Sequence, residues 1–238
     1  EVKTGFRFAR GGAAEYFGVT PDLGTYAKAI GNGYPAAAFA GIGPVMAQLP
    51  DKVSHGGTYA GNRVAASAAV RTLEILRDTD ALATIKQTGE TVQAGLREIV
   101  ARKGLPLSFC GHPSMFGMFF SETTPAEYRE WADTDHELYD AVAGGMQVLG
   151  AMPEPDSREP WFVCEAHAQG DTVDRILAIF AASLGVTPSS FSRLPRPPPG
   201  SSGWETKNHA FRARRAAQVH AQPPFQPRRR QSKHFDAH

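Results

Sequence analysis

Helical spacing of apolar residues is the clearest pattern in this chain of 238 residues. Between residues 82 and 103 the apolar positions recur at steps of three and four residues, as they do on one face of an α-helix. The pattern predicts a helix there and another over residues 63–77. Two further helices are predicted, one over residues 135–149 and one that follows Asp171 as its N-cap and ends at Gly185.

Short apolar runs and alternating positions predict the strands. Residues 36–42 form an apolar run interrupted by Gly, which is typical of a buried strand beside a tight loop. Residues 105–120 combine Pro, Gly and alternating apolar positions, so we predict a strand pair, of which residues 115–120 form the better strand. Residues 161–167 predict one more short strand.

The chain divides into three segments of different character. The pattern over residues 1–75 predicts part of an α/β core, because glycines, aromatics and short apolar runs lead into a helix. Residues 76–186 predict a separate α+β unit with helices on a small sheet. Residues 187–238 are rich in Pro and Arg and cannot bury enough apolar area to offset the entropy of ordering them, so we expect a disordered tail.

Charge and cysteine content narrow the expected environment. The tail holds ten Lys/Arg against two Asp/Glu, whereas the whole chain carries a net charge of only +1. Because no aromatic platform accompanies the basic residues, we expect no specific nucleic-acid partner. Cys110 and Cys164 are too few for a disulfide framework and are expected to be small buried residues in strands, so a reducing, cytoplasmic compartment is predicted.

Two further kinds of site are not expected. The chain has no apolar run of about 18 or more residues, so no membrane-spanning helix and no membrane partner are predicted. Its histidines are scattered and lack the spacing of zinc ligands, so no metal site is predicted either.

Lys28 is the candidate reactive residue. It ends a short apolar stretch and precedes the glycine-rich loop GNGYP at residues 31–35. In this setting we expect the amine to project from a strand end into a partly dry cavity, where it could attack an aldehyde. The alternative is an ordinary solvated surface lysine, which is the commoner situation for this residue type.

A second glycine-rich loop, SHGGTYAGN, occupies residues 54–62 directly before a predicted helix. Glycines let an anion approach the backbone, Thr58 offers a hydroxyl, and the helix start offers free N–H groups, so the loop is a candidate phosphate site. The alternative is a glycine-rich entry into a helix with no ligand, and spacing alone favours that alternative. The loop matches neither a Walker loop nor a dinucleotide fingerprint.

Four motifs, in this order and spacing, resemble the class III aminotransferase family. They are EVKTGFR at residues 1–7, GVTPDL at residues 18–23, TYAKAIGNGYP at residues 25–35 and GTYAGN at residues 57–62. Within the family, the chain looks closest to glutamate-1-semialdehyde 2,1-aminomutase-like members. The resemblance covers about residues 1–186 and excludes the tail.

The resemblance implies an α/β fold of the fold type I PLP-dependent transferases (PLP, pyridoxal 5'-phosphate). Residues 1–75 would form the C-terminal part of the PLP-binding large domain, and residues 76–186 the small α+β domain. It also implies a homodimer with a shared active site. The substrate would be a small amino acid or amino-aldehyde, used by an aminotransferase or an aminomutase.

The resemblance also implies roles for four residues. Lys28 would hold PLP as a Schiff base and later shuttle protons between the substrate and the cofactor. Thr58 and Gly57 would bind the phosphate of the cofactor that is held mainly by the partner subunit. Val2 would pack on one face of the pyridine ring.

One family residue is not in the chain. In the family an Asp stands immediately before the position of Glu1 and pairs with the pyridinium nitrogen, and the chain begins after it. We therefore expect a C-terminal fragment that, alone, binds PLP weakly or not at all. This expectation leaves two interpretations open: a piece of an active enzyme, or a non-catalytic remnant that keeps only the small domain and the dimer surface.

Overall fold

The computed structural model of the chain describes residues 1–185, apart from the side chains of residues 50 and 51. The predicted tail, residues 187–238, lies outside the described residues. In chain order, helices α1 to α8 are Gly12–Phe17, Gly43–Met46, Leu49–Lys52, Arg63–Asp78, Ala81–Ala101, Tyr128–Ala132, His136–Val148 and Thr172–Ser183. Strands β1 to β5 are Leu23–Tyr26, Ala38–Gly41, Ser108–His112, Met115–Phe119 and Trp161–Phe162, and two 3-10 helices are Lys28–Ile30 and Glu165–Ala168.

The four helices predicted from apolar spacing are confirmed as α4, α5, α7 and α8. Helix α4 begins after Asn62, whose side-chain oxygen accepts a hydrogen bond from the Ala65 N–H at 3.0 Å. Helix α7 begins after Asp135, which accepts from the Leu138 N–H at 2.8 Å. These caps satisfy N–H groups that a helix start leaves without an intrahelical partner. Asp171 precedes α8 as predicted, but its side chain makes no capping hydrogen bond.

Within the described residues the strands form two antiparallel sheets. In the first, β1 pairs with β2 and Thr25 lies opposite Phe39. In the second, the order is β3, β4, β5, and Phe116 lies opposite Trp161. The predicted strand over residues 115–120 is confirmed as β4. Strand β5 contains only two residues, because the chain turns into the 3-10 helix Glu165–Ala168 soon after it.

Two predictions about burial are wrong. Strand β2 lies in the run expected to be a buried strand, yet all four of its residues are exposed. A two-stranded sheet leaves most of both faces uncovered, which explains this exposure. Cys110 and Cys164 are also exposed rather than buried. Cys110 lies on the outward face of the edge strand β3, and Cys164 lies beyond the end of β5, in the turn before the 3-10 helix.

The apolar core lies between the second sheet and helices α5, α7 and α8. Its almost fully buried large side chains come from all of these elements: Leu96, Val100, Phe116, Met118, Tyr139, Val142, Met146 and Phe180. Burying each large apolar side chain contributes about 1.5–3 kcal/mol, so this cluster is the main source of stability in the described chain. No helix among the described residues is long and apolar enough to cross a membrane.

Tyr139 carries a polar group into this core. Its hydroxyl donates to the Glu154 carbonyl oxygen at 2.7 Å and accepts from the Trp161 Nε1–H at 2.8 Å. Burial raises the pKa of Tyr139, because removal from water disfavours the phenolate, so the hydroxyl keeps its proton and can donate it. The hydrogen bonds connect α7 to β5 and to the loop that precedes β5.

His112, at the end of β3, connects the N-terminal segment to the second sheet. The ring of Phe8 stacks on the imidazole with 4.9 Å between centroids, and Tyr16 meets it edge-on at 5.2 Å. The Ser114 hydroxyl lies 2.8 Å from Nδ1 of His112 and donates to the Arg7 carbonyl oxygen at 3.2 Å. His112 is therefore enclosed by aromatic rings on one side and its own turn on the other.

Acidification is expected to destabilise the fold through His112. Burial lowers the pKa of His112, and the charge of Lys86 lowers it further, whereas Glu90 opposes the shift. The unfolded chain takes up this proton near pH 6.5, and the folded chain resists it. The contribution of His112 to the free energy of unfolding is therefore complete above about pH 6.5 and is lost as the pH falls through the folded-state pKa. Urea midpoints measured from about pH 8 to about pH 5 should fall more for the native chain than for His112→Gln.

The exposed His55 provides the matched control for this experiment. The urea midpoint of His55→Gln should fall between about pH 8 and about pH 5 as much as that of the native chain. If the midpoints of the native chain and His112→Gln declined in parallel, burial of His112 would not be the cause.

Candidate functional site

Lys28 lies just beyond the end of β1, at the first residue of the 3-10 helix Lys28–Ile30. Its side chain is exposed and makes no hydrogen bond or ion pair with the described residues. The expectation of a partly dry cavity is therefore wrong for the part of the chain that is described. The uncovered two-stranded sheet explains the exposure. At the other end of the 3-10 helix, Ile30 is buried and this helix contacts α4.

The backbone around Lys28 is strained. Lys28 has a φ of 54° and Asn32 a φ of 45°, in the left-handed region that non-glycine residues rarely adopt. The N–H groups of Gly31 and Asn32 both donate to the Lys28 carbonyl oxygen at 3.1 Å. A Cβ at position 31 would collide with the Tyr34 carbonyl oxygen, so the turn requires glycine there. The sequence thus holds the lysine in a tight, specific turn.

The loop at residues 54–62 contacts the same small sheet. The ring of His55 meets the ring of Phe39 in β2 edge-on, with 5.6 Å between centroids. Thr58 is exposed, and the space around Gly57 is open, since a Cβ there would meet nothing within 4 Å. An anion could therefore reach this backbone and hydroxyl. The geometry is equally compatible with a helix entry that has no ligand.

The N-terminal segment, which contains Val2, contacts β1. Gly5 N–H donates to the Glu1 carbonyl oxygen at 2.9 Å, which forms a turn around Val2. The ring of Phe6 lies 5.6 Å from the ring of Tyr26 in β1. Val2 itself is 41% exposed, so its side chain is available to a further partner.

Two of the cavities among the described residues lie away from Val2, Lys28, Gly57 and Thr58. A cavity of about 510 Å³ lies between α8 and the segment at residues 150–163, and its lining includes Trp161, His167 and Arg175. A second cavity of about 410 Å³ lies between Arg10 and one face of α4. None of the four predicted site residues lines either cavity. The segments that carry the four residues all contact the β1–β2 sheet, but the described residues do not enclose the four side chains in a cavity.

A model of the family described as Aminotransferase class-III matches residues 1–179. The chain belongs to the class III aminotransferase family. Among curated relatives, the glutamate-1-semialdehyde 2,1-aminomutase of Methanosarcina acetivorans is 35% identical over 186 residues, which are 77% of this chain and 43% of that protein. The protein of the same name from Thermus thermophilus is 36% identical over 182 residues, 75% of this chain and 43% of that protein. The chain thus spans less than half the length of the curated relatives it matches.

A solved structure agrees with this assignment. The FumI protein of Sphingopyxis sp. MTA144, solved in its PLP internal aldimine form, is 27% identical with a TM-score of 0.67. The match covers 82% of this chain and 44% of that one. The predicted family is therefore confirmed, and so is the α/β fold of the fold type I PLP aminotransferases.

Sequence reasoning missed one cluster of chemically active side chains. The Sγ of Cys164 lies 3.2 Å from Nδ1 of His167, and the guanidinium of Arg7 stands close enough to interact electrostatically with the thiol. The i, i+3 spacing of Cys164 and His167 was the available signal, but Arg7 is distant in the sequence. Among the described residues, no group of three or more His, Cys, Asp and Glu could hold a metal ion.

The strain at Lys28 can be measured by substitution. Lys28→Ala keeps a Cβ at a φ of 54°, whereas Lys28→Gly removes the clash between the Cβ and the backbone. In urea titrations, we expect the free energy of unfolding of Lys28→Gly to be about 1 kcal/mol higher than that of Lys28→Ala. At the neighbouring Ala29, which has an ordinary φ, a change to Gly should instead reduce stability. Equal stability of the two Lys28 variants would show that the turn is not strained.

Proposed function

We propose that this chain carries the lysine-bearing part of a PLP-dependent class III aminotransferase or aminomutase. The enzyme would transfer or shift an amino group on a small amino acid or amino-aldehyde. The observation that carries the proposal is Lys28 itself: an accessible amine in a strained, glycine-dependent turn after β1, in a chain of this family. The names of the curated relatives and the PLP form of the FumI protein support the cofactor and the reaction class.

The described residues fit part of PLP. Lys28 offers an exposed Nζ, and Thr58 and Gly57 offer a hydroxyl and an N–H group in an open loop. Enclosure is missing from the described residues. Among the described side chains of residues 1–62, Ile30 is the one buried apolar side chain, and large apolar groups such as Phe17 at 66% exposure face outward. We infer that further protein covers this surface and completes the pocket.

Each residue then has a physical task. PLP, when bound, supplies an electron sink that makes protons on the substrate carbon easier to remove. Lys28 would attach the cofactor through Nζ and, once displaced by the amine of the substrate, would accept and return protons at that same atom. Thr58 and Gly57 would hold the phosphate oxygens and so fix the orientation of the ring. Val2 would cover one ring face and exclude water from it.

The organisation of the whole enzyme is part of the same proposal. We place the boundary between large and small domains at residues 75 and 76, between the region of the β1–β2 sheet and that of the β3–β4–β5 sheet. Thr58 and Gly57 would serve the pocket of a second subunit in a homodimer. We place the enzyme in the cytoplasm. The residues that would contact a substrate bound to PLP at Lys28 are not among the described residues.

Reductive labelling of a chimeric protein tests the assignment of Lys28. In the chimera, the N-terminal part of the Thermus thermophilus relative precedes Glu1. We expect it to bind PLP at one site per chain, because the ring, phosphate and amine contacts then come together. After reduction with borohydride, peptide mapping should place the label on Lys28.

Two lysine variants make this experiment decisive. Lys28→Arg keeps the positive charge but cannot attach the aldehyde, so the label and amino-group transfer should both be lost. Lys52→Arg, at an exposed lysine of the same segment, should leave both unchanged. A label on Lys3, Lys52 or Lys86 in the unmodified chimera would refute the role of Lys28. Failure of the folded chimera to bind PLP would favour the non-catalytic remnant.

A further inference from the structure

Cys164, His167 and Arg7 form a reactive cluster apart from the Lys28 site. Cys164 is exposed and precedes the 3-10 helix Glu165–Ala168 as its N-cap. Its Sγ lies 3.2 Å from Nδ1 of His167, within the range of a hydrogen bond to sulfur. His167 is also one of the residues that line the 510 Å³ cavity. The pair therefore combines a nucleophile, a base and adjacent open space.

The turn fixes which nitrogen of His167 faces the sulfur. The backbone N–H of Cys164 donates to Nδ1 at 3.0 Å. The Cys164 carbonyl oxygen also lies 3.2 Å from Nδ1, so the contacts fit both neutral tautomers; in the one that leaves Nδ1 unprotonated, Nδ1 accepts from the Cys164 N–H. The thiol proton of Cys164 can then pass directly to Nδ1. In addition, the backbone N–H of His167 donates to the sulfur in the same capping arrangement.

Arg7 adds a positive charge that interacts electrostatically with Cys164. Its guanidinium lies over the ring of Phe162, 4.7 Å from the centroid. Its Nε is buried and has no hydrogen-bond partner among the described residues. A guanidinium with unused hydrogen-bond donors attracts carboxylates. Arg175 lines the 510 Å³ cavity together with His167 and supplies a second cation.

We propose that Cys164 is a site of thiol–disulfide exchange with small anionic disulfides that carry carboxylates. His167 takes the thiol proton as Sγ attacks one sulfur of the disulfide. The disulfide bond breaks, a new bond joins Sγ to that sulfur, and the leaving thiolate takes up the proton from His167. One disulfide is consumed and one is formed, so the step needs no other oxidant. The carboxylates of the attached group would bind to Arg7 and Arg175.

Oxidised glutathione is the probe, and Cys110 is the internal control. Cys110 is also exposed but has no basic partner among the described residues, and the chain contains no third cysteine. In the reduced 238-residue chain, mass spectrometry of digests should show that Cys164 forms the mixed disulfide about tenfold faster than Cys110. In guanidinium chloride the two rates should become equal, because the cluster is lost on unfolding.

Two substitutions separate chemistry from the structural role of the turn. His167→Asn keeps an acceptor for the Cys164 N–H but cannot take the thiol proton, so the rate at Cys164 should fall to that at Cys110. Arg7→Met should slow the reaction with oxidised glutathione more than the reaction with the uncharged hydroxyethyl disulfide. Equal rates at the two cysteines in the folded chain, or a folded His167→Asn chain that reacts as the native one does, would overturn the proposal.

Discussion

The buried hydroxyl of Tyr139 constrains much of the described fold. In a dry core an indole N–H or a carbonyl oxygen left without a partner costs about 1–3 kcal/mol, so α7, Trp161 and Glu154 have to meet where their hydrogen bonds close. Strand β5 pairs with β4 over only two residues, so the strand ladder alone does not determine its place. The hydrogen bond to Trp161, and the contact of its ring with Phe116 at 5.9 Å between centroids, supply the rest.

The position of β5 in turn determines where the next residues of the chain lie. Cys164 and His167 occupy the turn directly after this strand, and the loop that begins near Glu154 lines the cavity that His167 also faces. Arg7 reaches the same place from the N-terminal segment, which is held to the second sheet through Ser114. The cluster is therefore assembled by tertiary contacts that the core imposes.

The sequence predicted the parts of the fold that depend on local periodicity. Helices α5 and α8 follow from the spacing of their apolar residues, although Asp171, the expected N-cap of α8, makes no capping hydrogen bond. Burial of β2 was predicted wrongly, because an apolar run does not show whether the described chain also contains the layer that covers it. For the same reason the cavity expected at Lys28 is absent from the described residues. The electrostatic interaction of Arg7 with Cys164 could not be predicted, since it joins residues far apart in the sequence.

Lys28 and Cys164 differ in what the chain itself supplies to them. A nucleophile needs a base or a loss of water to become reactive. Cys164 has a base at 3.2 Å, whereas Lys28 is exposed and has no partner among the described residues. What the chain does supply at Lys28 is backbone geometry, since a strained φ persists only where the surrounding contacts hold it. If Lys28 acts as proposed, the turn positions the amine, and the environment that makes it reactive must come from protein beyond the described residues.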